Sequence, residues 1–245
     1  MRPHIESLDT KSMPWTERGT GAYSKLLSTD PDNGARTALQ RVVPSGGAKA
    51  PSVPHYHPSD EELLIIKGGL TFDSKTWLNA LSYCFHPAQT VHGFKSSIPE
   101  ETWFISRHSQ EMETFQIPEP EKWHYHSIAE RPPERGLAVL TDPSAGPWED
   151  DADRRRDMRC QSVLLSRDPV TGEGSKLVRF LPGAVQRRGA ADGFYEETFV
   201  LEGALTAEDG SVCGEGFYSF RPPGAEAPFF ESPDGALVYV NFGPR

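Results

Sequence analysis

Cysteine is scarce in this chain of 245 residues: Cys84, Cys160 and Cys213 stand far apart, which excludes a disulfide framework and a zinc-finger pattern and leaves reduced thiols as the expectation. Positive charge is also in short supply. The 25 Lys and Arg face 35 Asp and Glu, for a net charge of -10, whereas a grip on nucleic acid needs clustered cations that displace counterions from phosphate. The densest basic run, Arg154-Arg155-Arg156, lies beside Glu149, Asp150, Asp151 and Asp153 and reads as a self-neutralised, solvated linker. Long apolar runs are missing. None approaches membrane-spanning length, and Met1 to Lys11 hold no apolar core of signal-peptide size. The expected compartment is the cytoplasm, with neither nucleic acid nor membrane as partner. Helical periodicity is weak throughout.

Punctuation is abundant instead. The 22 glycines and 22 prolines, in a chain that is 36% hydrophobic, predict an all-β fold of many short strands. Thr37 to Val43, Glu62 to Ile66, Thr102 to Ser106, Ser175 to Leu181, Thr198 to Leu201 and Ala236 to Asn241 are runs rich in β-branched, aromatic or Leu residues, bounded by Gly, Pro, Asp or Ser.

The chain also repeats itself. At a shift of 135, Phe85-His86-Pro87 falls on Phe220-Arg221-Pro222, Glu61-Glu62 on Glu196-Glu197, Gly68 on Gly203, and Tyr83 on Tyr218. At a shift of 138, Asp30-Pro31 falls on Asp168-Pro169 and Arg41 on Arg179; Met13-Pro14-Trp15 has an echo in Gly146-Pro147-Trp148. A period this long is a domain and not a solenoid unit. Two domains are predicted, 1–120 and 121–245, with the boundary in the proline-interrupted stretch Gln116 to Ala145.

His55-Tyr56-His57 is an H-x-H pair, and on a strand residues i and i+2 share a face. Glu61 keeps the same parity, and His92 arrives from a separate strand. Neutral imidazoles with one carboxylate suit a divalent transition metal (Fe, Mn, Ni, Co or Zn) at roughly 2.0–2.2 Å. Because ligation needs neutral imidazoles, affinity is expected to fall in mild acid, around the ordinary His pKa of about 6.5. Glu62 stays open as an alternative to Glu61, since the turn Pro58-Ser59-Asp60 can reset the parity and Glu62 keeps the same gap to Gly69.

These residues resemble the cupin superfamily, whose first motif is matched by His55, His57, Glu61 and Gly68, and whose second is matched in part by Pro87 and His92, with Gln89 at a position usually held by Gly. The resemblance implies two double-stranded β-helix (cupin, jelly-roll) barrels in tandem, a bicupin with the metal inside the first. The second copy, Phe194 to Gly203, is similar to the cupin domains of zinc-dependent anti-sigma factors. Its positions equivalent to His55, His57 and His92 are Ala190, Asp192 and Ala227, so it reads as a degenerate copy.

What the resemblance implies about function is a metal-dependent enzyme on a small organic substrate, with Fe the leading metal and a dioxygenase the leading activity. Glu61 doubles as a candidate general base. A non-redox lyase, isomerase or decarboxylase and a non-enzymatic sensor are the alternatives. A homodimer is plausible for such barrels. By contrast, His86 reads as off the inward-facing series, His108 as unremarkable, and His124-Tyr125-His126 as an H-x-H without the following Glu and Gly. Trp103 and Phe94 read first as packing aromatics.

Overall fold

The computed structural model describes residues 1–50 and 52–244. Among these the chain is strand, turn and three single 3-10 turns, divided into two compact units, each a barrel. Every run singled out above falls on a strand, with Val43 and Leu181 each one residue past a strand end.

The N-terminal barrel spans Pro14–Pro143. Its strands are taken here with the β1 that precedes them: β1 (Ile5–Asp9), β2 (Thr16–Gly19), β3 (Ala22–Thr29), β4 (Arg36–Val42), β5 (Glu61–Lys67), β6 (Gly69–Thr71), β7 (Trp77–Asn79), β8 (Tyr83–His86), β9 (Thr102–His108) and β10 (Ala138–Leu140). A seven-stranded sheet runs β10-β8-β5-β9-β4-β3-β2, and β6 pairs with β7. The strand β5 is central, Glu-Glu-Leu-Leu-Ile-Ile-Lys, and it is apolar on both faces because both are covered. Leu63 and Ile65 join Leu70, Leu78 and Cys84 in the core, with Phe72, Ile98 and Phe104 packed against them. Glu61, on the same face as Leu63, is thereby carried inward. Gly68 ends β5 at φ 73°, where a Cβ would lie 2.4 Å from the Glu101 carbonyl oxygen; Gly203 repeats this at φ 72° and 2.2 Å from the Gly235 oxygen. The glycine of the motif is therefore a backbone requirement in both copies.

The C-terminal barrel is built from Ser144 onward together with Met1–Met13. It contains β11 (Glu149–Asp150), β12 (Cys160–Arg167), β13 (Gly174–Phe180), β14 (Ala184–Gln186), β15 (Tyr195–Ala207), β16 (Val212–Gly214), β17 (Phe217–Arg221), β18 (Phe230–Ser232) and β19 (Ala236–Gly243), with β1 at the edge of its sheet, in the order β1-β17-β15-β19-β13-β12-β11. Its core holds Val178, Phe180, Val200, Leu205, Val238 and Val240 among others. All three cysteines are free and buried.

This division corrects the expected boundary at 120/121 at both ends of the chain. Residues after 120 stay with the first barrel because β10 pairs antiparallel with β8, Ala138 opposite Phe85 and Leu140 opposite Tyr83. The opening residues belong to the second because β1 pairs with β17, Ile5 opposite Phe220 and Leu8 opposite Tyr218. Each edge strand brings an arginine to a buried glutamate. Arg135 pairs with Glu62 and donates to the Tyr83 hydroxyl at 3.1 Å, its guanidinium 3.8 Å over Phe85. Arg2 donates to Glu197 at 3.1 Å, the Tyr218 hydroxyl donates to the same oxygen at 2.6 Å, and the guanidinium lies 5.4 Å over Phe220. The repeat thus extends to a strand that the linear alignment does not bring out. Arg41 and Arg179 also share a role, over Trp15 at 6.0 Å and over Trp148 at 4.4 Å.

The basic run is not a solvated linker. Arg154 is exposed, but Arg156 is buried among Asp151, Asp153, Gln186 and Glu196, and Arg155 is partly buried against Asp153 and Glu196. The neutralisation read from the sequence holds; the neutralising groups sit inside the barrel because Asp151 and Glu196 face inward.

Candidate metal centre

His55, His57 and His92 come together although none lies in a regular strand. His55 and His92 form an isolated antiparallel bridge, exchanging backbone hydrogen bonds of 3.0 and 2.9 Å. Gly93 permits the approach: at φ 81°, a Cβ there would lie 2.7 Å from the His55 ring. Gln89, at the motif's usual glycine position, takes φ 63°, and its counterpart Gly224 takes φ 82°, so the backbone of the motif survives the change of residue. The segment Pro58 to Asp60 bends between His57 and Glu61, so strand parity is not what aims Glu61. Cross-strand register does that. Glu61 sits opposite His86 on β8 and His108 on β9, three inward side chains in a row over adjacent strands.

The three rings are held in one tautomer. Nδ1 of His55 lies 2.7 Å from the Val53 carbonyl, Nδ1 of His57 2.7 Å from the Glu113 carbonyl and Nδ1 of His92 2.9 Å from the Thr90 carbonyl. A carbonyl oxygen only accepts, so each Nδ1 carries the hydrogen and each Nε2 presents a lone pair. A ring nitrogen of each histidine lies within 4.8 Å of the other two. The Glu61 carboxylate approaches the same point, Oε2 3.4 Å from His92 Nε2 and Oε1 3.9 Å from His57 Nε2. Acceptors therefore face acceptors in a buried space, an arrangement that a cation between them satisfies. Protonation would satisfy it as well, but burial pushes the His92 imidazole well below its ordinary pKa and the His55 imidazole down too. Burial alone would raise Glu61. The hydrogen bond from His86 and the surrounding imidazoles of His92, His108 and His57 outweigh it and hold the carboxyl well below its usual range. The donor set fits a divalent metal.

His86 and His108 are the residues that the sequence reading passed over. His86 Nδ1 donates to Glu61 Oε2 at 3.2 Å, its Nε2 faces the Cys84 thiol at 3.3 Å, and its ring stacks on His92 with centroids 4.3 Å apart. Burial raises the Cys84 thiol well above its ordinary pKa, so it is a neutral S–H able to donate to that nitrogen. His108 lies edge-on to His57, with Nδ1 3.4 Å from Ser59 Oγ. Glu62 is turned to the opposite face, against Arg135. His124 packs at a tilt against Phe94 and its segment bridges the backbone of Val91. Trp103 packs on Trp15.

Burial pushes His108 down to about 4. Between the unfolded value of about 6.5 and that value, the unfolded chain binds a proton that the folded one refuses, so stability falls as pH falls. The metal-stripped protein is expected to lose about 3 kcal/mol from this residue between pH 6.5 and 4. Urea unfolding across that range, wild type beside His108→Asn, checks it: the variant's acid slope should be flatter, and equal slopes would refute the assignment.

The cluster opens into a pocket of about 370 Å³ whose walls are chiefly Leu63, Leu70, Phe72, Ile98 and Phe104. No Lys or Arg is among the described residues lining it. In the C-terminal barrel the corresponding carboxylate, Glu196, is engaged by Arg155 and Arg156, and the imidazoles are replaced as the sequence indicates.

Over residues 20–242 the sequence matches the family described as Domain of unknown function (DUF4437). The chain belongs to this family. No curated protein matches it. Among solved structures, this DUF4437 chain is similar to a candidate dioxygenase from Nostoc punctiforme, with a TM-score of 0.81 and 20% identity over 97% of this chain and 81% of the other. Oxalate decarboxylase from Bacillus subtilis follows at 0.59 and 15%, over 99% and 76%. A protein from Geobacillus kaustophilus gives 0.60 and 12%, over 99% and 96%. At such identities the likeness is one of fold, and the fold is the tandem cupin. The similarity of the second copy to anti-sigma cupins is not carried by these comparisons. No helix among the described residues of the DUF4437 chain is long and apolar enough to cross a membrane.

Proposed function

We propose that His55, His57, Glu61 and His92 hold one divalent metal, with iron foremost, and that the N-terminal barrel catalyses oxygen-dependent oxidation of a small organic molecule with an apolar body. The observation that carries this reading is the convergence of three Nε2 lone pairs and one carboxylate at the end of an apolar pocket. A bound ion of this kind supplies Lewis acidity and, as iron, a route for electrons to dioxygen.

The chain's own residues supply the rest. Leu63, Phe72 and Phe104 take the apolar body and exclude water. The His86 N–H fixes the Glu61 carboxylate and keeps it ionised, so its other oxygen would take a proton only from a substrate hydroxyl acidified by a bound Lewis acid. Because burial holds His55 and His92 below the ordinary imidazole pKa, proton competition for the metal begins at lower pH than the sequence suggests.

Likeness of fold to oxalate decarboxylase favours a second reading, non-redox decarboxylation. Against it, a dianionic substrate would enter a pocket whose described lining offers no Lys or Arg to balance it. Oxygen-electrode assays with Fe(II) and a panel of chelating enols and aromatic diols separate the two. Uptake is expected for the wild type in air, with no turnover under nitrogen and none in His57→Ala. Turnover that persists without oxygen moves the assignment to the decarboxylase or lyase class.

A further inference from the structure

The C-terminal barrel has a cavity of about 120 Å³ where its partner copy has the metal pocket. Glu196, Thr198, Leu205, Ala227 and Val238 line it, and by repeat and strand register they stand where Glu61, Leu63, Leu70, His92 and Phe104 stand in the first barrel. Loss of the imidazoles does not leave the space apolar. Arg221 takes the place of His86, opposite Glu196 on the neighbouring strand as His86 is opposite Glu61.

The arginines around Glu196 are not equivalent. Arg155 and Arg156 donate to Glu196 at 2.9 and 3.3 Å and also pair with Asp153 and Asp151, carboxylates largely shielded from water; Arg155 Nη1 is itself a buried donor with no acceptor, but Arg155 does not line the cavity. Arg221 is buried; its charge acts on Glu196 across the strand pair, while its ion pair at 3.3 Å is with Asp192, a carboxylate 45% exposed and screened by solvent. Its Nη1 also donates to the Ala225 carbonyl at 2.9 Å, and its Nε is buried with no acceptor. A buried guanidinium donor without an acceptor is an unmet demand for one, and an ionised acceptor meets it best. The remaining wall includes Phe180, Leu205, Phe230 and Val238.

We propose that this cavity is a metal-independent binding site for a small monocarboxylate with a short apolar tail, its carboxylate accepting from Arg221 and its tail lying against Leu205, Phe230 and Val238. A monoanion suits the site better than a dianion, because Glu6, Glu196 and Glu226 already line the cavity beside Arg156, Arg188 and Arg221. The small volume sets the size of the tail. On this reading the degenerate copy, which lacks the three imidazole ligands, carries an anion receptor instead, with Arg221 standing where the first copy has His86.

The full chain, metal-loaded and after chelator treatment, is titrated with propionate and with propionamide, its neutral isostere, by ligand-observed NMR. Saturable propionate binding is expected with and without chelator, with propionamide weaker by about tenfold or more. Arg221→Gln should abolish it, as should Ala227→Leu, which fills the cavity while keeping every charge; His57→Ala should leave it intact. Native melting curves identify which variants remain folded. Absence of propionate binding, equal binding of propionamide, binding that survives in both cavity variants, or binding lost with chelator or in His57→Ala would each overturn the proposal.

Discussion

Replacing His57 by alanine is expected to empty the N-terminal barrel of metal. Protein purified without oxygen should carry about one equivalent by mass spectrometry in the wild type and little in the variant, because one of three imidazoles and its oriented Nε2 are gone. Changes to groups that merely orient a ligand weaken metal affinity by about 10–100-fold, and deletion of a ligand should exceed that. His86→Gln, which removes the donor to Glu61 and the ring stacked on His92 but none of the four proposed ligands, should fall within the smaller range. His124→Ala should do nothing, since that ring packs on Phe94. One equivalent retained in His57→Ala would dismantle the site.

The second large effect concerns folding. Arg135→Ala leaves the Glu62 carboxylate buried beside Tyr83 without its partner; both members of the pair are nearly inaccessible, at 6% and 2%. Breaking such a pair from one side costs about 3–5 kcal/mol. The midpoint of thermal unfolding is expected to drop by roughly 10 °C or more. Lys122→Ala, which removes an equally close but exposed pair with Glu119, should change stability by less than about 1 kcal/mol. The double substitution Arg135→Met with Glu62→Leu should recover much of the loss, because the cost lies in the stranded charge. A single variant as stable as the wild type would mean that Glu62 reaches water.

The fold was legible because the chain says the same thing twice: the shift of 135 aligns Gly68 with Gly203, and each proves to hold a left-handed backbone angle against a backbone carbonyl. His55, His57 and His92 were legible through spacing that a local backbone path can honour. His86 and His108 were not, because what brings them to Glu61 is register between strands far apart in sequence, and a linear reading has no access to that. Proximity of His86 to Pro87 said nothing about its face. The burial of Arg156 was hidden for the same reason: its partners Gln186 and Glu196 are supplied by other strands. The domain boundary failed on β1 and β10, short edge strands whose pairing, and not their composition, decides where they belong.

The placement of β1 imposes an order of events on synthesis. Arg2 and its buried partner Glu197 are 195 positions apart. At about 5–20 residues per second the opening segment waits on the order of 10–40 s before its sheet exists. Through that interval the N-terminal barrel, complete once β10 has emerged, can fold, while β1 remains an unpaired edge available to other strands. Closing the C-terminal barrel is then a late, long-range step, and the slow phase of refolding is expected to report the docking of β1 on β17.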